Sequence, residues 1–405
     1  MKIAILGFGT VGSGTYEIIS QTNSVILKNT GSNLEVKYIL DIRDFSSRSD
    51  AHLFVNDFDI ILNDPEVDTV IETIGGLNPA FDYSMKALKS GKNVITSNKE
   101  LVATYGNELI QTAVDNNVKY MFEASVGGGI PIIRQLFHCF TCNEITEIKG
   151  ILNGTTNYIL TQMFKNGESF EQALKAAQQK GYAEKDPTAD IEGQDTCKKI
   201  CILSSVISGK SVDFKNVYTE GITKISKEDT EFAQVLGYCI RLIGESIMGD
   251  DGYMQVHVAP MLIDNEHIFS KIEDVYNGII VKGQMTDDTM SYGRGAGKLP
   301  TASAVVADAI EVEKNKKIPY MRPWKKADKN YVVPHDEYER KYYLRCETQN
   351  RTGLMEEIEK TFGITDSCDT PENEVAVITN AVKFKDISQY KPKCGTVLSL
   401  IEVMK

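Results

Sequence analysis

Residues 2–14, KIAILGFGTVGSG, begin with a short apolar run and continue into a glycine-rich turn. The glycines have the spacing G-x-G-x-x-G, directly after a predicted strand and at the start of a predicted helix. In a strand–helix–strand unit such a turn lets the backbone approach a pyrophosphate, whose charge the helix N-terminus stabilises. A tight turn without a ligand is the alternative. The predicted contacts to a dinucleotide come from Gly7, Gly9, Thr10, Val11 and Gly12.

Short apolar segments alternate with helical segments through the rest of the first third. The apolar segments read EVKYILDI, DTVIETIGG, KNVITS and VKYMFEAS. Strands and helices that alternate in this way predict a parallel sheet covered on both faces. The fold class is therefore α/β, with a Rossmann-like nucleotide-binding domain.

The middle and the end of the chain are less regular. ILNGTTNYILTQMF and SFEQALKAAQQKGY read as helices, the second ended by Gly181, and PTASAVVADAIEV reads as a helix begun by Pro300. Two strands, YMQVHVAPMLI and GIIVKGQ, lie between them. The basic, proline-containing segment EKNKKIPYMRPWKKADKN is typical of a linker. A small, distinct unit of strands and one helix follows it.

The composition excludes some classes of function. A formal net charge of -12 argues against a nucleic-acid surface, which needs clustered lysine and arginine. No segment has the length of a membrane span, and the N-terminus lacks the features of a signal peptide. We expect a cytoplasmic protein that acts on small molecules. The eight cysteines are interpreted as reduced, mostly buried thiols, since the metal-like pair Cys139 and Cys142 has no second pair.

The second strand is predicted to end at Asp41, where an acid would bind the adenosine ribose and favour NAD. Arg43 and Arg48 follow closely, and either could pair with the 2′-phosphate of NADP. The alternative is that both arginines are solvated loop charges. We expect NADP, with NAD possible.

Charged residues precede a buried helix in the middle of the chain. Residues 181–200, GYAEKDPTADIEGQDTCKKI, lead into the apolar segment CILSSVIS, and a helix is predicted over about 190–208. Asp195 and Lys199 are four residues apart and share one face, while Lys198 also reaches Asp195. An ordinary acid–lysine helix pair is one interpretation of this spacing.

Two features favour a catalytic site over that pair. The apolar residues that follow should partly desolvate Lys199, which suits a proton donor. Glu184, Asp186 and Asp190 precede it in a loop where carboxylates can converge. Several acids beside one lysine would bind a cationic group next to that donor.

These motifs together resemble the homoserine dehydrogenase family. ETIGG, TSNKEL, FEASVGGGIPII, GILNGTTNYIL, GYAEKDPTADIEGQD and GRGAGKLPTASAVVAD occur in the order and spacing of that family, over essentially the whole chain. No aspartate-kinase segment precedes the dehydrogenase, so the chain resembles the single-function form. The resemblance implies reversible, NAD(P)H-dependent reduction of L-aspartate 4-semialdehyde to L-homoserine, in threonine and methionine biosynthesis.

The resemblance also implies roles for individual residues. Lys199 matches the catalytic lysine, with Asp195 beside it, and Lys99 matches a second lysine placed between cofactor and substrate. Glu184 matches the carboxylate that binds the substrate's amino group. The other substrate positions are Tyr182, Gly154 and Thr155, with Asp190 added from the acidic loop. The further cofactor positions are Thr73, Gly75 and Gly295, the last in a loop with Gly293 and Arg294.

A cation loop is implied as well. Glu123, Val126, Gly128 and Ile130 match a loop whose backbone carbonyls bind a monovalent cation, usually sodium. Hard oxygen ligands from an irregular glycine-rich turn suit such an ion, although the sequence alone fits an empty turn equally well.

The resemblance implies four segments. Residues 1–130, completed by about 296–318, form the dinucleotide-binding domain, and 131–295 form an α+β substrate-binding and dimerisation domain. A linker over 319–337 leads to a small ACT-like regulatory domain at 338–405. Deleting the chain after about Asn330 should leave the chemistry intact if this segment is only regulatory, and loss of folding would show that it is structural. We expect a homodimer or homotetramer.

The C-terminal segment departs from the family pattern. NRTG replaces the usual Asp-Arg-Pro-Gly turn, and TDSCDTPENE stands where a second strand is usual. A sheet shortened in this way would lack effector contacts, so threonine feedback stays open. The segment NEHIFSKIEDVYNGI keeps only the outline of the family's interface.

Two alternatives to this function are kept. Another semialdehyde reductase of the same fold, such as an aspartate-semialdehyde dehydrogenase, needs a cysteine nucleophile near a histidine. The adjacent pair His138 and Cys139 lies in a helical, apolar setting that favours a structural role. A catalytically silent ACT-type amino-acid sensor would have no use for Glu184, Asp195 and Lys199 together.

Overall fold

The protein is described by a computed structural model that covers residues 1–31, 33–315 and 322–404. Residues 316–318, at the end of the predicted dinucleotide-binding domain, and 319–321, in the predicted linker, lie outside the described residues. The chain forms two compact units, which we call the first and the second unit. The first comprises Met1–Asn143, Cys201–Asp213 and Gly293–Ala327, and the second comprises Glu144–Ile200, Phe214–Tyr292 and Asp328–Lys405. Within the described part of the chain, no helix has the length and apolar character needed to cross a bilayer.

The N-terminal part of the first unit alternates strands and helices. Its elements are β1 (Lys2–Leu6), α1 (Thr10–Thr30), β2 (Glu35–Leu40), β3 (Phe54–Val55), α2 (Phe58–Asn63), β4 (Thr69–Glu72), α3 (Ala80–Lys89), β5 (Asn93–Thr96), α4 (Lys99–Asp115), β6 (Tyr120–Met121) and α5 (Ile132–His138).

These strands form one parallel sheet in the order β3-β2-β1-β4-β5-β6. This is the strand order of a Rossmann fold, so the predicted fold class is confirmed. The apolar residues of β1 drive the arrangement, because Ile3 and Ile5 are fully buried in the core. The direction in which successive strands are added to the sheet reverses between β1 and β4. Dinucleotides bind at such a switch point, next to the carboxyl ends of the strands.

The middle of the chain contributes to both units. Its elements are β7 (Ile145–Ile151), α6 (Gly154–Asn166), α7 (Phe170–Gln179), α8 (Thr188–Ile191), α9 (Gln194–Ser208), β8 (Lys210–Ser211), β9 (Tyr218–Thr219), α10 (Lys227–Val235), β10 (Tyr238–Met248), β11 (Met254–Asp264), β12 (Tyr276–Gly283), β13 (Asp287–Arg294), α11 (Lys298–Lys314) and β14 (Lys325–Lys326).

Two helix boundaries differ from the predictions. The helix predicted over about 190–208 is two helices, α8 and α9, because Gly193 between them has a left-handed φ of +77°. Pro300 is the third residue of α11 and does not begin it. The first turn of a helix leaves its N–H groups without intrahelical partners, so proline is tolerated there.

The C-terminal residues belong to the second unit. Their elements are β15 (Glu339–Arg340), β16 (Tyr342–Thr348), α12 (Arg351–Phe362), β17 (Ile364–Ser367), β18 (Glu374–Thr379), β19 (Val382–Lys383), α13 (Phe384–Ile387) and β20 (Gly395–Val403).

One large sheet organises the second unit, in the order β13-β12-β7-β10-β11-β20-β16-β18-β17, with β9 also paired to β11. Its centre is the antiparallel pair β10 and β11. The C-terminal strands continue this sheet, because β20 pairs in parallel with β11 at Met261 and Glu402.

The C-terminal segment has the order β16-α12-β17-β18-α13-β20, with strands arranged β20-β16-β18-β17. This is the βαββαβ connectivity of ferredoxin-like folds. The expectation that the second strand is missing is wrong, since Ile364–Ser367 form β17 and pair with β18. The sequence hid this strand because three of its four residues, Thr365, Asp366 and Ser367, are exposed and polar.

Candidate active site

The glycine turn of the first unit joins β1 to α1, and its three glycines have different surroundings. Gly7 has a φ of +90°, and a Cβ on Gly12 would lie 2.0 Å from the Gly7 carbonyl oxygen. The Thr73 hydroxyl donates to that same carbonyl at 3.0 Å. A Cβ on Gly9 would meet nothing within 4 Å. Protein atoms therefore crowd the turn at Gly7 and Gly12, whereas the space beside Gly9 is free. This arrangement fits the approach of a dinucleotide pyrophosphate.

Asp41 follows β2 and is tied to this turn. Its carboxylate accepts the Phe8 N–H at 2.7 Å and the Arg43 guanidinium at 2.8 Å. The Arg43 hydrogen bond, partly opposed by burial, holds the pKa of Asp41 well below its usual range. Arg48 pairs with Asp50 at 2.7 Å and lies over the Phe8 ring. Both predicted arginines therefore lie at the cofactor turn and are paired with acids.

A buried acid that we did not predict organises the loop after β4. Glu72 is fully buried, and its carboxylate accepts the N–H groups of Ile74 and Gly75 and the Thr96 hydroxyl, the last at 2.6 Å. Burial raises its pKa. Glu72 thus fixes the loop that contains the predicted cofactor position Gly75. The one signal for it in the sequence is an acid at the end of the apolar run in DTVIETIGG.

Lys99 is placed by the next strand of the same unit. It is the first residue of α4, directly after β5, and it is half-buried. The preceding residue, Asn98, caps the helix by accepting the Leu101 N–H at 3.1 Å and donates to the Gly76 carbonyl at 2.6 Å. These hydrogen bonds therefore fix the backbone of Lys99 at the carboxyl end of the parallel sheet.

In the second unit, Lys199 is a buried ammonium group with two close oxygen partners. Its Nζ atom lies 2.7 Å from Asp195 Oδ2 and donates to the Leu152 carbonyl at 2.8 Å. Lys199 is 8% exposed and Asp195 5% exposed. Lys198, which the spacing left open, lies over the Phe214 ring. The geometry therefore separates the two lysines: Lys199 pairs closely with the acid.

Asn153 connects this pair to the acidic loop. Its side-chain amide donates to Asp195 at 2.9 Å and to Asp190 at 2.7 Å, and its oxygen caps α6 at Thr156. Burial, reinforced by the nearby Asp195 charge, raises the pKa of Asp190. Of the three loop acids predicted to converge beside the lysine, Asp190 is linked to the pair through Asn153, whereas the side chains of Glu184 and Asp186 are exposed. Asn153 is a further member that the sequence did not reveal.

The remaining predicted substrate residues surround the same segment. The Thr155 hydroxyl donates to the Tyr182 carbonyl at 2.6 Å. A Cβ on Gly154 would lie 2.8 Å from the Val275 carbonyl oxygen, so no side chain fits there. Glu184 and Tyr182 are exposed. The site thus combines buried groups that fix Lys199 with an exposed acid and aromatic ring.

The predicted cation loop lies in the first unit. The Glu123 carboxylate accepts the N–H groups of Ile133 and Arg134, and burial together with Asp308 raises its pKa to about 7. Its side chain therefore caps α5, which leaves the backbone carbonyl as the possible ion ligand.

The glycines of this loop pack against a second loop of the same unit. Gly128 has a φ of +55°, and a Cβ there would lie 2.3 Å from the Gly295 carbonyl oxygen. The Gly129 N–H donates to the Arg294 carbonyl at 3.0 Å. The Ile130 carbonyl accepts the Ile132 N–H and retains a second lone pair. The loop offers backbone oxygens and excludes a side chain at Gly128, which fits a small cation.

The cysteines differ from the prediction. All eight are free, and four are buried: Cys197, Cys201, Cys239 and Cys346. Cys139 and Cys142 are exposed, so the apolar setting predicted for Cys139 is wrong. Cys139 follows the last residue of α5, His138, and both side chains are exposed.

Comparisons with known proteins agree with this architecture. Residues 7–123 match the model of the NAD-binding domain of homoserine dehydrogenase, and residues 131–310 match the homoserine dehydrogenase model. The chain is 37% identical to the homoserine dehydrogenase of Bacillus subtilis over 371 residues, 89% of this chain and 84% of that protein.

The chain belongs to the homoserine dehydrogenase family.

Solved structures of homoserine dehydrogenases share the fold. One from Thiobacillus denitrificans has a TM-score of 0.92 at 34% identity and covers 100% of this chain and 98% of its own. A hyperthermophilic archaeal homoserine dehydrogenase in complex with NADPH has a TM-score of 0.68 at 26% identity, over 79% of this chain and 99% of its own. The protein is thus an NAD(P)-dependent oxidoreductase, and the sensor and the other reductases are not supported.

Proposed function

We propose that Lys199 is the proton donor when this homoserine dehydrogenase reduces L-aspartate 4-semialdehyde, and that Asp195 positions it. The observation that carries this proposal is a buried ammonium group held 2.7 Å from Asp195 Oδ2. When bound, the nicotinamide cofactor supplies hydride to the aldehyde carbon. The ammonium group stabilises the charge that develops on the carbonyl oxygen and then protonates it. In the reverse direction the neutral amine accepts the hydroxyl proton of homoserine.

The substrate's amino group is assigned to the acidic loop. Glu184 is exposed and free to turn towards a ligand, while Asp190 is held by Asn153. Carboxylates for the amino group and an ammonium group for the carbonyl oxygen would distinguish the amino end of the substrate from its aldehyde end by charge. Lys99 is the second candidate for polarising the carbonyl oxygen, and it begins α4 after a capped turn.

The neighbouring lysines allow a matched test of this assignment. We expect Lys199→Ala to lower the turnover of homoserine oxidation by about 100-fold or more, the scale of losing a general acid. Lys198→Ala should stay near the wild-type rate. Absorbance of the reduced cofactor measures both, and circular dichroism confirms folding. A reversed pattern would assign the proton transfer to Lys198.

We propose NADP as the preferred cofactor. The support is Arg43, whose side chain is 56% exposed beside Asp41, and the family member solved with NADPH. Arg43→Ala should lower kcat/KM for NADP by about tenfold or more, the loss of a charged hydrogen bond, and change that for NAD much less. Equal losses for both cofactors would refute a contact with the 2′-phosphate.

We propose that the backbone carbonyls of Glu123, Val126, Gly128 and Ile130 bind a monovalent cation, most simply sodium. The support is the tight contact between Gly128 and Gly295, which excludes a side chain at Gly128 and places a backbone carbonyl oxygen beside it. The ion would fix the loop and supply no chemistry to the reacting atoms. Sodium chloride should raise the melting temperature more than choline chloride at equal ionic strength, and Gly128→Ala should abolish the difference.

We infer an ACT-like regulatory domain at 338–405, a substrate-binding and dimerisation domain at 131–295 and a nucleotide domain at 1–130 completed by about 296–318. The βαββαβ order of the C-terminal segment supports the first assignment. Analytical ultracentrifugation should show a dimer or a tetramer. Titration with threonine during turnover decides whether the segment senses that amino acid.

A further inference from the structure

Three residues from distant parts of the chain converge inside the second unit, apart from the residues assigned to catalysis. His257 lies in β11, His335 precedes β15 and Glu402 lies in β20. One ring nitrogen of each histidine and one carboxylate oxygen lie within 4.8 Å of one another. All three are buried, at 0%, 8% and 4% exposure. Burying two imidazoles and a carboxylate together is costly unless a partner compensates them.

The surrounding groups orient these atoms. Glu402 Oε2 lies 3.1 Å from His257 Nε2, while Oε1 accepts Arg340 Nε at 3.0 Å. His257 Nδ1 faces Glu245 Oε2 at 3.8 Å. A metal-bound imidazole commonly has a carboxylate on its other nitrogen, and a metal-bound carboxylate is itself hydrogen-bonded. Arg340 therefore already supplies the hydrogen bond to the Glu402 carboxylate. His257 Nδ1 has no hydrogen-bond partner among the described residues, because Glu245 Oε2 lies beyond hydrogen-bonding distance.

His335 supplies the strongest indication of a missing ligand. Its Nδ1 atom is buried and has no hydrogen-bond partner among the described residues. The ring is held by Tyr218, which stacks on it at 4.0 Å between ring centroids.

A cavity of about 250 Å³ gives access to the cluster. His335 and Glu402 line it, together with Tyr218, Glu220 and Tyr342. An ion could enter by this route, and water in the cavity could complete its coordination. Three buried protein ligands with a fourth position open to water are typical of zinc sites that have three protein ligands.

We propose that His257, His335 and Glu402 bind one divalent transition-metal ion, with zinc as the best match. Two imidazoles and one carboxylate suit zinc, and hard ions such as magnesium prefer oxygen alone. Tetrahedral zinc bonds of about 2.0–2.2 Å place ligand atoms roughly 3.5 Å from one another. The more distant ligand atoms would therefore close in by about 1 Å on binding, while Glu402 Oε2 and His257 Nε2, now 3.1 Å apart, would separate slightly. The ion would tie β20 and the residues before β15 to β11.

Cobalt titration of metal-free protein tests this site. The exposed thiols Cys139 and Cys142 would also bind cobalt, so the parent protein for the test is the double variant Cys139→Ser/Cys142→Ser. We expect one Co²⁺ per chain, with visible d–d absorption that zinc displaces. His335→Gln should weaken binding by at least about tenfold. His52→Gln, which changes an exposed histidine, should leave binding unchanged.

Thermal unfolding provides a second readout that does not depend on catalysis. Zinc should raise the melting temperature of the parent protein and of His52→Gln, and should leave that of His335→Gln unchanged. His335→Gln carries the test even if His257→Gln fails to fold, because glutamine retains hydrogen-bonding capacity at the edge of the cavity. Less than one equivalent of Co²⁺, or parental affinity in His335→Gln, would overturn the proposal.

Discussion

At the scale of single residues, the candidate site depends on how each buried charge is partnered. The spacing of Asp195 and Lys199 predicted their pairing, since side chains four apart in a helix are neighbours. The Leu152 carbonyl and Asn153 complete the pair, and they are 47 and 42 positions away from the residues they contact. Glu72 bonds to Ile74 and Gly75 nearby in the chain, but its burial and its bond to Thr96, 24 positions away, depend on the fold. Contacts within one helix follow from the sequence, whereas contacts between distant segments need the fold.

The shifted pKa of Asp190 gives a pH-dependent prediction. The folded state raises this pKa above its unfolded value near 3.8, so the native state favours the protonated form. The resulting stability is present at low pH and is lost as the pH rises through the folded pKa. Asp190→Asn should therefore gain melting temperature relative to wild type at pH 7, and the gain should shrink as the pH falls towards 4.

Asp186 provides a control, because its pKa shifts in the opposite direction to that of Asp190. Its hydrogen bonds from Thr188 lower its pKa, so its contribution to stability is present above the unfolded value and is lost as the pH falls. Asp186→Asn should lose melting temperature at pH 7 and match wild type at low pH. Calorimetry between pH 4 and 8 measures both variants, and parallel curves would contradict the account.

At the scale of the element, the turn between β1 and α1 was predictable because each glycine meets a steric requirement within the turn itself. Gly12 must lack a side chain so that α1 can pack on the turn, and Gly9 faces open space, as the predicted approach of a cofactor requires. The start of α9 was less predictable. The sequence from about residue 190 predicts one continuous helix. In the structure, Gly193 has a left-handed φ that separates α8 from α9, and nothing local in the sequence indicates this conformation.

Two alanine substitutions in the turn should separate folding from cofactor binding. Gly12→Ala places a Cβ 2.0 Å from the Gly7 carbonyl oxygen and should destabilise the protein by about 1–3 kcal/mol. Gly9→Ala meets no protein atom within 4 Å and should fold like wild type while binding the cofactor more weakly. Urea unfolding and titration of cofactor fluorescence measure the two effects. Equal stability of both variants would contradict the packing described here.

At the scale of the whole molecule, the Rossmann strand order was predictable because its strands and helices alternate locally. The integration of the C-terminal segment was not. The sequence indicates a separate tail whose deletion spares the chemistry, but β20 pairs with β11 in one sheet. Arg340 lies between Glu245 and Glu402 at 2.9 and 3.0 Å, and all three are buried. These ion pairs join residues more than 60 positions apart, so no local pattern in the sequence indicates them.

This integration changes the expected result of truncation. Deleting the residues after Asn330 removes Arg340 and exposes the edge of β11, so we expect an aggregated or partly unfolded protein. The single substitution Arg340→Ala should cost about 3–5 kcal/mol, because it leaves buried carboxylates unpaired. Lys383→Ala, at an exposed ion pair with Glu337, should leave stability close to that of wild type, because solvent screens such a pair. A folded, active truncation would show that the segment is only an appendage.

The central claim is that the ammonium group of Lys199 gives its proton to the substrate's carbonyl oxygen. The most direct measurement is the turnover of Lys199→Ala as methylamine is added, since a small amine can occupy the space of the missing group. The account predicts a turnover far below wild type that rises saturably by about tenfold or more with the amine. Wild-type turnover without the amine, or a depressed turnover that methylamine leaves unchanged, would contradict it.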